Sequence, residues 1–151
     1  MSIGHLQDQG LRAAREGRAI CKFVDEDTVT DAFVVQTAAA IYYDIPEGKQ
    51  LVIKSATVGG ATVLEECVAY LVGCDAVAGG GTPTQLNHHL HIAIGDRKEG
   101  LMHAKESFDV PKVVKYSDGH RSVSLAVMAT DNATVVTYGW CGWVEDEGTL
   151  S

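Results

Sequence analysis

From Ala19 almost to the C-terminus the chain is a train of about eight short apolar runs, each cut off by a Gly, Pro, Asp or Asn turn. Short runs with period-two alternation are half-buried strands, and a series of them predicts an all-β chain, an antiparallel β-sandwich over residues 19–151. The 151 residues are 46% hydrophobic, which is enough for a single core and therefore for one sandwich domain.

The pattern can be followed run by run. Ala19 to Val24 is a short first strand, and the acidic stretch from Asp25 to Asp31 leads to a long second one, Phe33 to Ile45. In that run Phe33, Val35, Ile41, Tyr43 and Ile45 share one parity. Ile45 to Gly48 reads as a type I turn, with Pro46 presetting φ at its second position. Lys49 to Val58 and Ala61 to Val72 are expected to pair as a hairpin, because Gly59 and Gly60 both tolerate the positive φ of a two-residue turn.

Asp75 to Thr84, with three successive glycines and a Thr-Pro step, is the longest predicted loop and is expected to be flexible. Leu86, His88, Leu90, Ile92 and Ile94 then share the core parity. Ala104 to Val110 is a weak strand that Pro111 should end or confine to a sheet edge. A second hairpin is expected at Asp118-Gly119, followed by Val123, Leu125 and Val127 on one face. In the last strand, Ala133 to Val144, the residues Val136, Tyr138, Trp140 and Val144 face the core, while Trp143 has the opposite parity and is expected to point outward.

Residues 1–18 differ in kind. Arg12, Arg15 and Arg18 stand at spacing three, which sets them on one side of a short helix. Ile3, Leu6 and Leu11 are the segment's large apolar residues, too few to fold alone, so 1–18 reads as an N-terminal arm. The first nineteen residues carry a net charge of +1, so the total of −8 places −9 on the rest. Nine Lys or Arg against eighteen Asp or Glu do not make the basic surface that phosphates require, and nucleic acid is not an expected partner. A membrane is not expected either, since no stretch approaches the roughly 20 apolar residues of a span. The N-terminus lacks the apolar segment of a secretory signal, and the chain is expected to begin in a cytoplasm.

Candidate chemistry is sparse. Cys21, Cys67, Cys74 and Cys141 show no C-x-x-C spacing and read as buried thiols. Cys67 and Cys74, seven apart on one strand pattern, would sit about 23 Å apart, so any bridge must be cross-strand. His89 and His91, alternate residues on a strand, could share a metal in the manner of the cupin H-x-H. The cupin pattern also needs a glycine six positions before its first His, where this chain has Pro83, and a Glu soon after its second, where the next is Glu99. Surface or hydrogen-bonded histidines are therefore the preferred reading, and no metal or cofactor is expected. No serine occupies a G-x-S-x-G elbow, and Gly79-Gly80-Gly81-Thr82 lacks the lysine of a phosphate-binding loop, so an enzyme is not expected. What the pattern does supply is outward apolar parity at Val34, Ala38, Ala40, Tyr42 and Trp143, which suits contact between subunits.

The segment Tyr42-Tyr43-Asp44-Ile45-Pro46-Glu47-Gly48-Lys49-Gln50-Leu51-Val52-Ile53, the ending Tyr138-Gly139-Trp140-Cys141-Gly142-Trp143-Val144-Glu145 and the strand train resemble the small jelly-roll structural proteins of tailed bacteriophages. The nearest type is the capsid decoration, or cement, protein, and the resemblance covers most of residues 19–151 in pattern. It implies an eight-stranded antiparallel jelly-roll-like sandwich that forms a homotrimer. That trimer would sit on the virion surface and bind the major capsid protein at local symmetry axes. The arm, through Arg12, Arg15 and Arg18, would grip the shell, with Tyr42 and Trp143 among the partner-binding residues. Two alternatives stay open: a cupin-like metal enzyme using His89 and His91, and a carbohydrate- or receptor-binding sandwich of a fibre with Trp143 as its sugar platform.

Overall fold

The computed structural model describes residues 19–60, 66–87, 90–93, 102–129 and 134–148. Ten strands run through them: β1 (Ala19–Val29), β2 (Val34–Val35), β3 (Tyr43–Asp44), β4 (Lys49–Gly60), β5 (Glu66–Cys74), β6 (Pro83–Gln85), β7 (Leu90–Ala93), β8 (Met102–Lys115), β9 (Ser122–Ala129) and β10 (Thr134–Asp146). One sheet has the order β1-β10-β4-β8 and the other β2-β9-β5-β6, with β3 also on β9 and β7 also on β5. Every pairing is antiparallel. If β2 with β3, and β6 with β7, are each taken as one interrupted strand, eight strand positions remain, ordered 1-8-3-6 and 2-7-4-5. This is the strand order of a jelly roll of two Greek keys, the form of sandwich that the resemblance implies.

The core lies between the sheets. Leu51, Ile53, Ala56 and Val58 of β4 and Val136, Tyr138 and Trp140 of β10 meet Cys67, Ala69 and Leu71 of β5 and Val123, Leu125 and Val127 of β9. Each fully buried aliphatic side chain contributes roughly 1.5–3 kcal/mol relative to exposure. The predicted core parity of β9 and β10 is the observed one, with Val144 packed partly against the same cluster.

Several local expectations fail for identifiable reasons. Phe33 to Ile45 is not one strand: only Val34–Val35 and Tyr43–Asp44 pair with β9, and the stretch between them turns at Ala38, whose carbonyl accepts from Ile41 N and Tyr42 N. The backbone there finds other partners. Ser124 Oγ donates to the Gln36 carbonyl at 2.6 Å, Phe23 N to that of Ala40 at 3.1 Å, and Trp140 Nε1 to that of Ile41 at 2.8 Å. Such side-chain and loop bonds compete with a ladder.

The two predicted hairpins are crossovers. β4 belongs to the first sheet and β5 to the second, so Gly59 and Gly60 finish β4 rather than form a hairpin with the strand that follows. β8 and β9 likewise lie in different sheets, joined through a 3-10 turn at Tyr116–Asp118 and Gly119 at φ 92°. The proline turn shifts by one residue, with Lys49 N donating to the Pro46 carbonyl at 3.1 Å and Gly48 at φ 75° in the third position, as a type II turn requires. β1 continues through the acidic stretch to Val29 after an irregularity between Val24 and Asp27. β8 runs past Pro111 because it is an edge strand whose register with β4 slips between Ile53 and Ser55, where a proline costs no ladder bond.

Candidate functional site

Along β10 the residues Thr137, Gly139, Cys141, Trp143 and Glu145 face away from the core, and their partners on β1 and β4 share that outer face. Cys21 lies directly opposite Cys141, and the two form a disulfide with Cα atoms 4.2 Å apart. The reading of all four cysteines as thiols is therefore corrected for this pair. The requirement that a bridge be cross-strand holds, and Cys67 and Cys74 are buried and not in a disulfide. Burial pushes the Cys74 thiol up, and nearby Asp75 adds to this, against a hydrogen bond from Ser122 that lowers it.

Beside the disulfide a groove of ≈ 600 Å³ runs over the sheet, with Cys21, Phe23, Gly59, Gly139 and Cys141 among its apolar lining and Ser55, Thr57, Thr137 and Lys22 as its polar members. Gly139 makes the groove possible. A Cβ there would stand 2.6 Å from the Lys22 carbonyl and 2.9 Å from Phe23 Cδ2, so the phenyl ring closes down where a side chain is missing. Phe23 remains 53% exposed, an apolar wall open to solvent. The lining can bind through carbon surface and hydroxyls.

At the Ala19 end of the same face the situation inverts. Trp143, expected outside, does take the outer parity but is only 3% exposed and packs with Val52 and Val113. Its Nε1 donates to Glu145 Oε2 at 3.4 Å, and Glu145 Oε1 accepts from Gln50 Nε2 at 3.1 Å. Parity alone predicts a direction and not what lies above the residue. Trp143 thus cannot serve as an open sugar platform.

The outer face of the other sheet is apolar as well. Val72, Cys74 and Ala126 are buried there with Val35 and Tyr70 packed against them, and the Phe33 ring lies 4.7 Å from that of Tyr70 at a 60° tilt. Phe33 is 44% exposed on this face, whereas Val34, expected outward, pairs with core Val127 and so has the inner parity, and it is Val35, opposite Ala126, that lies outside. One end of this face is covered by the glycine-rich loop, which is pinned and not loose. Ser122 Oγ accepts from Gly79 N and donates to the Ala76 carbonyl, Asp44 Oδ1 accepts from Ala78 N, and Asp75 Oδ1 accepts from Thr82 N. Side-chain acceptors at Ser122 and Asp44, distant in sequence, are a signal that the run of glycines does not carry.

Of the residues singled out from sequence, Tyr42 is half-buried in the turn before β3. Arg12, Arg15, Arg18 and His89 lie outside the described residues, as does the side chain of His91, whose backbone pairs with Val68 on β5. Among the described residues no group of three or more His, Cys, Asp or Glu is placed to hold a metal ion. Sequence reasoning missed Phe23, Gly139 and the disulfide, because their significance depends on the β1–β10 register.

No family model matches the sequence, and no curated protein does. Among solved structures the chain is similar to one from the infectious bursal disease virus Gx strain, at 13% identity and a TM-score of 0.45, covering 87% of this chain and 34% of that one. It is also similar to the coat protein of tobacco streak virus, at 6% identity and a TM-score of 0.34, covering 87% and 88% of the two chains. The CBM22-1 xylan-binding domain of Xyn10C from Paenibacillus barcinonensis is similar at 9% identity and a TM-score of 0.29, covering 81% and 96%. The chain thus spans about a third of the length of the bursal disease virus chain, and these likenesses are of fold alone.

Proposed function

We propose that this chain is a viral structural protein, a rigid jelly-roll block that associates with copies of itself and attaches to a capsid. The observation that carries the reading is the apolar outer face of the six-stranded sheet, where Phe33 stays 44% exposed beside Tyr70, Val35 and Val72. An exposed aromatic side chain continuous with an apolar cluster is what a subunit contact buries.

The finer reading is decoration of the head shell of a tailed bacteriophage by a homotrimer that binds the major capsid protein. It rests on the resemblance of the segments Tyr42 to Ile53 and Tyr138 to Glu145. Many weak contacts repeated about a symmetry axis add through effective concentration, so a trimer holds a shell that one subunit would not. Arg12, Arg15 and Arg18 are the proposed contacts to coat carboxylates. The test is native mass in solution together with co-sedimentation on purified coat-protein shells of such a phage. A discrete oligomer that pellets with shells is expected, and a strict monomer that stays in the supernatant overturns the proposal.

A second reading, a carbohydrate-binding module, is favoured by one observation: exposed Phe23 beside a groove that also offers the hydroxyls of Ser55, Thr57 and Thr137. Binding on a glycan array that is lost in Phe23→Ala would favour it over the first.

A further inference from the structure

The four cysteines divide by exposure. Cys67 and Cys74 are 0% exposed, whereas Cys21 is exposed and Cys141 half-buried on the outer face of the four-stranded sheet. Exchange with a thiol from solvent requires access to sulfur, so the Cys21–Cys141 bond is open to it and the buried pair is not. The same bond belongs to the groove, whose β1 side is Cys21, Lys22 and Phe23. A redox-sensitive group therefore sits in the wall of the candidate binding site.

What the bond holds is the first half of an edge strand. Among the described strands β1 pairs with β10 alone, and its register breaks between Val24 and Asp27, so residues 19–24 form a segment of their own. Beyond the break β1 is anchored: Asp27 Oδ2 accepts from Tyr138 Oη, and Val29 is 3% exposed in the core. Before it, Ile20 and Val24 are only partly buried against the core. Outside the ladder this segment is tied by Phe23 N, which donates to the Ala40 carbonyl at 3.1 Å, and by Lys22 Nζ, which donates to that of Ala39 at 3.3 Å. Fixing the backbone of such a segment costs about as much as two partly buried side chains and one ladder return, so it has little hold of its own. The disulfide sits in its middle, with Cys21 directly opposite Cys141.

We infer that residues 19–24 are a flap, latched to β10 by the Cys21–Cys141 disulfide, and that reduction by a dithiol unlatches the flap and withdraws one wall of the groove. A thiolate of the dithiol attacks Sγ of Cys21, the more exposed partner. The Sγ–Sγ bond breaks, and Cys141 leaves as a thiolate that takes up a proton. The second thiol of the dithiol gives up its proton and displaces Cys21 from the mixed disulfide. The reductant ends as its own disulfide, oxidised by two electrons, and Cys21 and Cys141 end as thiols.

Once unlatched, the flap swings on the irregularity between Val24 and Asp27 while Asp27 and Val29 hold the rest of β1. Phe23 leaves Gly139 with it, and the groove loses its apolar wall. The groove is thus complete under oxidising conditions and dismantled under reducing ones. This goes beyond both readings of function and holds whichever ligand the groove takes.

Hydrogen exchange read by mass spectrometry on the full chain, before and after dithiothreitol, tests the latch without a ligand. With the bond closed, residues 20–24 and 27–29 should be protected alike. In the reduced chain residues 20–24 should exchange about a hundredfold faster than residues 27–29 of the same sample. If the two stretches stay in step after reduction, both protected or both lost, the flap is overturned. Cys21→Ser with Cys141→Ser should show the reduced pattern without reductant and should not respond to dithiothreitol, and a closed pattern in that variant overturns the inference too. N-ethylmaleimide added after the reductant should label Cys21 and Cys141 and spare Cys67 and Cys74. Labelling of all four means general unfolding, and labelling of none means a bond that a dithiol does not reach; either result overturns a local latch.

Discussion

Cys21 and Cys141 are direct partners in the β1–β10 register and are joined by a disulfide that spans 120 residues of sequence. The bond ties an edge strand to the central one at the point where Phe23 and Gly139 frame the groove. Closing so long a loop restricts the unfolded chain strongly, by about 4–5 kcal/mol in the chain-entropy model and about 2–5 kcal/mol in practice. Urea unfolding of Cys21→Ser with Cys141→Ser should therefore show a midpoint lowered by an amount corresponding to about 2–5 kcal/mol. Reduction of the wild type should reproduce most of that shift, and a midpoint unmoved by reductant would show that the bridge does not constrain the chain.

Alkaline pH should unfold the sandwich through Tyr138. Its hydroxyl, buried in the core, donates to Asp27 Oδ2 at 2.5 Å, and its pKa is raised first by burial and then by the hydrogen bond to Asp27 and its charge. Tyr43 is raised too, by burial, with Lys49 opposing. The unfolded phenol titrates near pH 10 while the folded one keeps its proton, so the unfolded state binds fewer protons above that pH and stability falls. The contribution is complete below about pH 10 and should decline by up to about 1.4 kcal/mol per pH unit for each such tyrosine above it. Tyr138→Phe should flatten that decline in chemical unfolding between pH 9 and 11, and an equally steep decline in the variant would remove Tyr138 as its source.

A glycine of β10 should differ sharply from a turn glycine in what it tolerates. A Cβ at Gly142 would stand 2.1 Å from the Val52 carbonyl, a backbone atom that cannot swing aside, whereas one at Gly48 would have nothing within 4 Å. Gly142→Ala should thus cost about 3 kcal/mol or more by forcing β10 and β4 apart. Gly48→Ala meets only the strain of φ +75°, about 1–2 kcal/mol. Thermal melts of the two variants rank them, and equal losses would mean that β10 and β4 part without cost.

These positions show why some of the molecule was legible and some was not. The inward set Val136, Tyr138, Trp140 and Val144 follows from alternation alone, because β10 is long, central and paired on both sides. The sandwich itself follows from the number and spacing of such runs. Alternation is silent about which sheet a strand joins, so β4 and β5 read as a hairpin although they face each other across the core. The short β2 and β3 were hidden because their connecting backbone bonds to Trp140, Ser124 and Phe23, residues distant in the chain. Trp143 was assigned to the right face and the wrong environment, since parity carries no information about what packs on top.

The proposed self-association through the six-stranded sheet gives the most direct prediction about function. Phe33, 44% exposed and tilted 4.7 Å from the Tyr70 ring, can lose its ring with little damage to the fold, since exposed positions usually cost under about 1 kcal/mol. A carboxylate placed in an apolar contact must be desolvated when the contact forms, so Phe33→Asp should weaken association at least tenfold, about 1.4 kcal/mol. Phe23→Asp, on the opposite sheet, introduces the same charge at a comparably exposed site and should leave association unchanged. Sedimentation velocity across a concentration series separates the cases. If Phe23→Asp dissociates the oligomer and Phe33→Asp does not, the contact lies on the groove face, and the six-stranded sheet is left without the role assigned to it.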